Sequence, residues 1–181
     1  MKYINNIFTI ENCKLDKVLK KFETPIFCYS ERKINKNINS FKNSFKSFSP
    51  IICFSTKSNS NLEILKQIKR NGLGADVVSK GELMIALKAG INPKKIVFSG
   101  VGKTRSELVY AIKKKILLIN CESKSEILEI ENIAKLKNKK VDIGIRLNPN
   151  TDAKTLKQIS TGKKENKFGV NEKTFIQVSE Y

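Results

Sequence analysis

The fold is decided by residues 74–98, which read GADVVSKGELMIALKAGINPKKIVF. Residues 75–78 are a short apolar run rich in branched side chains, as is typical of a β-strand. Ser79 follows this run and precedes Glu82 by three positions, which is the spacing of a capping box at a helix start. Gly90 stands where that helix should stop. The stretch therefore predicts a strand, then a helix, then another strand.

The same order recurs from about residue 50 onward. Four further apolar runs predict strands, at 51–56, 96–98, 116–120 and 141–147. Three further residues precede a glutamate by three and predict helix starts, namely Ser60, Thr104 and Ser123, and Gly72 marks another helix stop. A regular alternation of apolar strands and helices indicates a parallel sheet, either a (β/α)8 barrel or a doubly wound sheet.

The number of strands limits what the chain can form. Five strands are predicted, whereas a complete barrel has eight strands and typically about 250 residues. If the sheet belongs to a barrel, that barrel is incomplete in this chain. Residues 1–29 do not follow the repeat and are treated as a separate N-terminal segment, and Ile34, Ile38 and Phe41 have the spacing of a helix ahead of the first barrel strand.

The composition and net charge of the chain bear on whether it binds nucleic acid. Of 181 residues, 40% are hydrophobic, which is enough for a core. The net charge of +18 raises the possibility of nucleic-acid binding, but only four of the 35 basic residues are arginine and the lysines are spread along the chain. We interpret the charge as a solvated lysine-rich surface and expect no nucleic-acid partner.

The same composition bears on location and metal binding. No leader-like segment or apolar run long enough for a membrane span is present, so we expect a cytoplasmic protein without a membrane partner. The four cysteines form no CxxC pair and histidine is absent, which argues against a metal site and against a disulfide framework.

Lys57 is the first candidate site residue. In the first strand Cys53 and Ser55 share a face with Lys57, because side chains alternate with period two. In a barrel this face would point inward, and Lys57 would lie at the carboxyl end, where barrel active sites form. Partial desolvation there would favour a neutral, nucleophilic amine. The alternative is that Lys57 is one of 31 lysines and only marks a strand end.

Asp76 and Arg146 are two further candidates. Asp76 lies in the second strand, and Arg146 lies at the end of the fifth. Both would face the same mouth as Lys57, where they could either contact a cofactor directly or form a structural ion pair.

One apparent phosphate loop is set aside. Gly102, Lys103 and Thr104 resemble the end of a P-loop, but Val97 occupies the position of the glycine that this motif requires. The segment predicts a turn into a capped helix.

Several segments resemble the diaminopimelate decarboxylase family in order and spacing, from about residue 24 to the C-terminus. The segment FSTKSN at 54–59 resembles the family's cofactor-lysine motif, which is usually closer to YAVKAN. Other similar segments are TPIFCY at 24–29, GADVVSKGEL at 74–83, IVFSGVGKT at 96–104, RLNP at 146–149, STG at 160–162 and NKFG at 166–169.

The resemblance implies a partial (β/α)8 TIM barrel of the alanine racemase-like type, with about five of eight strand–helix units and without the family's C-terminal β-domain. The start of residues 1–29 would pair with that β-domain, and residues 30–181 would form an incomplete pyridoxal-phosphate-binding barrel. Lys57 would carry pyridoxal 5'-phosphate as a Schiff base and be the catalytic residue, with Asp76 and Arg146 binding the cofactor. The implied reaction converts meso-diaminopimelate, an amino-acid substrate, to L-lysine and carbon dioxide in a homodimer.

The sequence also departs from the family. A histidine commonly stands shortly before the STG segment, whereas Thr155 is followed here by Leu156, Lys157 and Gln158. The chain ends at Tyr181, before the family's phosphate loop and ring-stacking histidine, so we expect the chain alone to be inactive and poorly stable. The alternatives are another decarboxylase or racemase of this fold, and a non-catalytic pyridoxal-phosphate-binding or remnant protein.

Overall fold

The computed structural model describes residues 2–151, 154, 162 and 167–179. The chain forms two compact units, Met1–Pro50 and Ile51–Tyr181. The domain boundary predicted at residue 29 lies inside the first unit, and the role predicted for residues 1–29 stays a prediction. The segment from Thr155 to Gln158, where the family commonly has a histidine nearby, lies outside the described residues. No helix within the described ranges is long and apolar enough to cross a membrane.

The first unit holds a small antiparallel sheet and two helices. Its elements are β1 (Lys2–Ile4), β2 (Ile7–Ile10), β3 (Cys13–Lys14), α1 (Leu15–Leu19) and α2 (Glu31–Ser44), and the strands pair in chain order. Ser30 caps α2 by accepting a hydrogen bond from the Lys33 amide. The Glu11 carboxylate accepts hydrogen bonds from Ser30 Oγ and the Arg32 amide, which lower the pKa of Glu11. The helix predicted ahead of the first barrel strand is confirmed.

The second unit is built on a five-stranded parallel sheet. Its strands are β4 (Cys53–Ser55), β5 (Gly74–Val77), β6 (Ile96–Phe98), β7 (Leu118–Cys121) and β8 (Ile143–Ile145). Its helices are α3 (Leu62–Arg70), α4 (Lys80–Lys88), α5 (Arg105–Lys114), α6 (Lys124–Lys137) and α7 (Glu172–Ser179). Leu147 also forms an isolated parallel bridge with Val170, just before α7.

The strand order distinguishes a barrel from a doubly wound sheet. The order is β4-β5-β6-β7-β8, without any reversal, and α3, α4, α5 and α6 contact one another in succession. Because crossovers between parallel strands are right-handed, this order places the successive helices on one face of the sheet. A doubly wound sheet reverses its order and carries helices on both faces. The predicted partial barrel is therefore confirmed over these five strands.

The core lies between the helices and one face of the sheet. The buried strand residues are Ala75, Val77, Ile96, Phe98, Ile119 and Cys121. The helices cover them with apolar side chains, among them Leu65, Ile68, Leu83, Leu108, Ile127, Ile130 and Ile133. Burial raises the pKa of the Cys121 thiol to about 12, so this cysteine is an inert core residue. The alternate strand residues, such as Asp76 and Asn120, are only half-buried and lie on the other face.

The predicted helix starts are confirmed with one exception. The hydroxyls of Ser79, Thr104 and Ser123 each accept a hydrogen bond from the backbone amide three residues on. The prediction for Ser60 is wrong, because Asn61 is the N-cap of α3 and its side chain accepts from the Glu63 amide. The predicted helix stops at Gly72 and Gly90 are confirmed by φ values of +76° and +83°.

Glu107 joins the starts of two neighbouring helices. Its Oε2 accepts a hydrogen bond from the Thr104 amide at 3.0 Å, which completes the capping box of α5. Its Oε1 accepts from the amide of Lys80, the first residue of α4, at 2.9 Å. These two backbone hydrogen bonds lower the pKa of Glu107. One carboxylate thus satisfies exposed amides of two helices.

Candidate active site

Polar side chains line the sheet face that the helices leave uncovered. Ser55 stands opposite Asp76 in the register of β4 and β5, and Asn120 stands opposite Gly144 in the register of β7 and β8. The three polar side chains are half-buried. Arg146 follows β8 directly. Because carboxyl ends of parallel strands meet at one edge of the sheet, the second unit gathers these groups where barrel sites are built.

Lys57 lies just beyond the end of β4, in a 3₁₀ turn formed by Thr56–Ser58. This turn contacts β5 and α4. The side chain of Lys57 is exposed, so the prediction that it is partly desolvated is wrong for this chain. No hydrogen bond or ion pair of its amine is found within the described residues, which leaves the amine accessible to an aldehyde.

Thr56 precedes Lys57 in the same 3₁₀ turn. It is completely buried, and its Oγ1 has no hydrogen-bond partner within the described part of the chain. We expect Thr56→Val to raise the free energy of unfolding by about 1 kcal/mol, because the desolvation cost of the unpaired hydroxyl disappears while the shape is kept. Urea denaturation measures the change. Thr56→Ser is the matched control, which keeps the hydroxyl, loses a methyl group and should destabilise; a destabilised valine variant would contradict the prediction.

Asp76 is held by a chain of hydrogen bonds across three strands. Ser99 Oγ donates to Asp76 Oδ1 at 2.6 Å, and Asn120 Nδ2 donates to Ser99 Oγ at 3.0 Å. Burial and the nearby Asp76 carboxylate raise the pKa of the Cys53 thiol. The chain of hydrogen bonds fixes one oxygen of Asp76 on the uncovered face.

Gly144 leaves space for the hydrogen bonds that link Asn120, Ser99 and Asp76. A Cβ atom at this position would lie 2.5 Å from Asn120 Oδ1, which is closer than real Cβ contacts. A larger residue on β8 would therefore push the Asn120 amide away from Ser99.

Arg146 forms an ion pair. Its Nη1 donates to Glu122 Oε1 at 3.1 Å, and its guanidinium lies 4.6 Å from the centre of the Phe168 ring. The Arg146 side chain is 38% exposed, whereas that of Glu122 is 4% exposed. The structural ion pair considered for Arg146 is present, and the Arg146 side chain is still partly exposed.

Ser99, Asn120 and Glu122 are site residues that the sequence did not predict. A usable signal was present, because the bonded pairs are separated by 23, 21 and 24 residues. These separations correspond to one strand–helix repeat, so polar residues one repeat apart occupy neighbouring strand ends. Searching for that spacing would have paired Asp76 with Ser99 and Glu122 with Arg146.

Comparison with known families shows the family to which this fold belongs. Residues 31–180 match the model of the pyridoxal-dependent decarboxylase, pyridoxal-binding domain. The chain belongs to this family of pyridoxal-phosphate-dependent enzymes.

Individual relatives narrow the comparison. The chain is 48% identical over 163 residues to diaminopimelate decarboxylase of Helicobacter pylori, a match covering 90% of the chain and 40% of the relative. A crystal structure of the H. pylori enzyme complexed with L-lysine superposes with a TM-score of 0.88 at 46% identity. This match covers 91% of the chain and 42% of that structure. The diaminopimelate decarboxylase from M. jannaschii in co-complex with L-lysine superposes with a TM-score of 0.87 at 36% identity. This match covers 97% of the chain and 42% of that structure. The chain thus spans about 40% of the length of the curated relatives it matches.

The residues at the sheet edge fit pyridoxal phosphate. The cofactor needs a primary amine for its aldehyde, and Lys57 offers an exposed one at the end of β4. Asp76 and Arg146 add a fixed carboxylate and a partly exposed guanidinium. Within the described ranges no group of cysteine, aspartate and glutamate side chains is arranged to hold a metal ion.

Proposed function

We propose that this chain supplies the lysine-bearing part of a diaminopimelate decarboxylase, which converts meso-diaminopimelate to L-lysine and carbon dioxide. The observation that carries the proposal is the exposed amine of Lys57 at the carboxyl end of the first barrel strand. Two named relatives at 48% and 39% identity, from Helicobacter pylori and Aquifex aeolicus, support the choice of substrate.

Each site residue then has a distinct role. Lys57 would hold the cofactor through its primary amine, which is the group that reacts with an aldehyde. Asp76, whose orientation Ser99 fixes, would present a carboxylate to the cofactor. Arg146, whose side chain is partly exposed, would offer guanidinium donors to an acceptor oxygen of the cofactor. Pyridoxal phosphate, when bound, supplies the electron sink for loss of carbon dioxide.

The proposal includes a homodimer in the whole protein and a cytoplasmic location. Free thiols at all four cysteines are compatible with a reducing compartment. The homodimer is proposed from the family resemblance given in the sequence analysis.

A chimera tests the reaction. The chain replaces the matching N-terminal segment of the H. pylori relative, and lysine release from meso-diaminopimelate is measured with pyridoxal phosphate present. We expect turnover with meso-diaminopimelate and little with ornithine or arginine, because the remainder of the relative supplies the contacts outside this chain.

The matched control is the same chimera with Lys57→Arg, which keeps the charge and should be inactive. A folded chimera that binds the cofactor but releases no lysine would refute the proposed substrate. Robust turnover by the 181-residue chain alone would refute its role as a part of the site.

A further inference from the structure

Glu122 holds together three segments at the carboxyl edge of the sheet. It directly follows β7, and the residue as a whole, backbone included, is 6% exposed. Its Oε1 accepts from Arg146 Nη1 at 3.1 Å, and its Oε2 accepts from the Gly169 amide at 2.9 Å. Both carboxylate oxygens are therefore used, one by the end of β8 and one by the segment that follows Phe168. A nearly buried carboxylate with two such partners has one well-defined position.

The backbone of Glu122 is fixed as well. Its amide donates to Glu126 Oε2 at 2.9 Å, and Glu126 Oε1 accepts from Lys103 Nζ at 2.6 Å. The Lys103 and Glu126 side chains are 1% and 9% exposed. Because Glu126 is paired with the buried Lys103, its hydrogen bond to the Glu122 amide fixes the position of the Glu122 backbone.

The Arg146 side chain contacts Glu122 and Phe168 and is otherwise partly exposed. One N–H is bonded to Glu122, and the guanidinium stacks against Phe168. A guanidinium has five N–H donors in a rigid plane, so fixing one donor and the ring contact also fixes the direction of the others. The remaining donors of this 38% exposed side chain can meet an acceptor oxygen of a ligand at the same edge as Lys57.

We propose that Glu122 is a positioning residue, which acts on the cofactor through Arg146. The inference rests on the proposed function, because it requires that Arg146 contacts the cofactor bound at Lys57. If the ion pair were only structural, Glu122 would contribute to folding and would leave cofactor affinity unchanged. If Glu122 positions Arg146, the effect of replacing Glu122 should depend on Arg146 being present.

A double-mutant cycle on the 181-residue chain distinguishes these cases. The variants are Glu122→Gln, Arg146→Ala and the pair together. The measured quantity is the pyridoxal phosphate concentration that gives half-maximal labelling of Lys57 after borohydride reduction, corrected for the folded fraction found by urea denaturation. We expect each single variant to raise this concentration about tenfold, and the double variant to match Arg146→Ala, because one charge-assisted hydrogen bond carries an effect of that order.

Three outcomes would overturn the inference. The concentration could stay unchanged in Glu122→Gln, or the double variant could show the product of the two single effects, or Arg146→Ala could have no effect. Absence of labelling at Lys57 in the parent chain would instead refute the proposed function. If Glu122→Gln does not fold, Glu122→Asp takes its place, and its effect should vanish when Arg146 is alanine.

Discussion

Lys57→Ala should abolish the covalent attachment of pyridoxal phosphate at position 57. With the cofactor in excess and borohydride added, the parent chain should yield a peptide with reduced cofactor on Lys57, detected by mass spectrometry. The reason is that only a primary amine forms a reducible bond with the aldehyde, and the Lys57 amine is exposed without a partner among the described residues. We expect the labelled peptide to fall by more than about tenfold, since no other side chain can take that position.

Two controls make this test specific. Lys57→Arg keeps the positive charge but cannot form the bond, so it should behave like the alanine variant. Lys66→Ala removes an exposed lysine that pairs with Glu63 on α3, and it should leave labelling at Lys57 unchanged. Labelling of another lysine at high occupancy, with Lys57 unmodified, would show that the assignment of the cofactor lysine is wrong.

Lys103→Met should destabilise the second unit by about 3–5 kcal/mol, because it leaves the Glu126 carboxylate buried without its counter-charge. Lys103 Nζ also donates to the carbonyl oxygens of Gly100 at 2.6 Å and Asn120 at 2.8 Å, so the substitution removes three hydrogen bonds. Urea denaturation followed by circular dichroism measures the loss. A variant that no longer unfolds cooperatively gives no free energy of unfolding, and the double variant described next then carries the test.

The double variant Lys103→Met with Glu126→Gln keeps the prediction testable if the single variant does not fold. It leaves no unpaired charge, and the new amide can still accept from the Glu122 amide, so it should recover much of the lost stability. Lys66→Met is the surface control, since this ion pair is exposed and should cost less than about 1 kcal/mol. A single variant as stable as the parent would contradict the role given to the buried pair.

The fold could be predicted because its signals are local. Short apolar runs give the strands, a serine or threonine three positions before a glutamate gives three of the four predicted helix starts, and glycines, which have positive φ in the structure, give the stops. The error at Ser60 is instructive, because the spacing to Glu63 matched a capping box while Asn61 was the better-placed cap. Helix α7 was missed, although its start is capped by the side chain of Asn171, which accepts from the Thr174 amide.

The site could be predicted only in part. The polar positions Asp76 and Arg146 followed from alternation along each strand, but their partners depend on the register between strands. Ser99 and Glu122 meet them only because each successive strand is aligned one repeat further along the chain. The exposure of Lys57 could not be predicted either. Alternation along a strand indicates only which face of the sheet a side chain occupies, whereas burial depends on which other segments cover the end of the strand.

The carboxylate of Glu107 has a consequence for how this barrel can be divided. It closes the first turn of α5 and also the first turn of α4, which belongs to the preceding repeat. A fragment cut after β6 would therefore lose a capping group from a helix that the cut itself leaves whole. A piece that keeps every capping group of α4 must extend through the beginning of α5, so the strand–helix repeat of this sequence is not a self-contained unit for exchange between barrels.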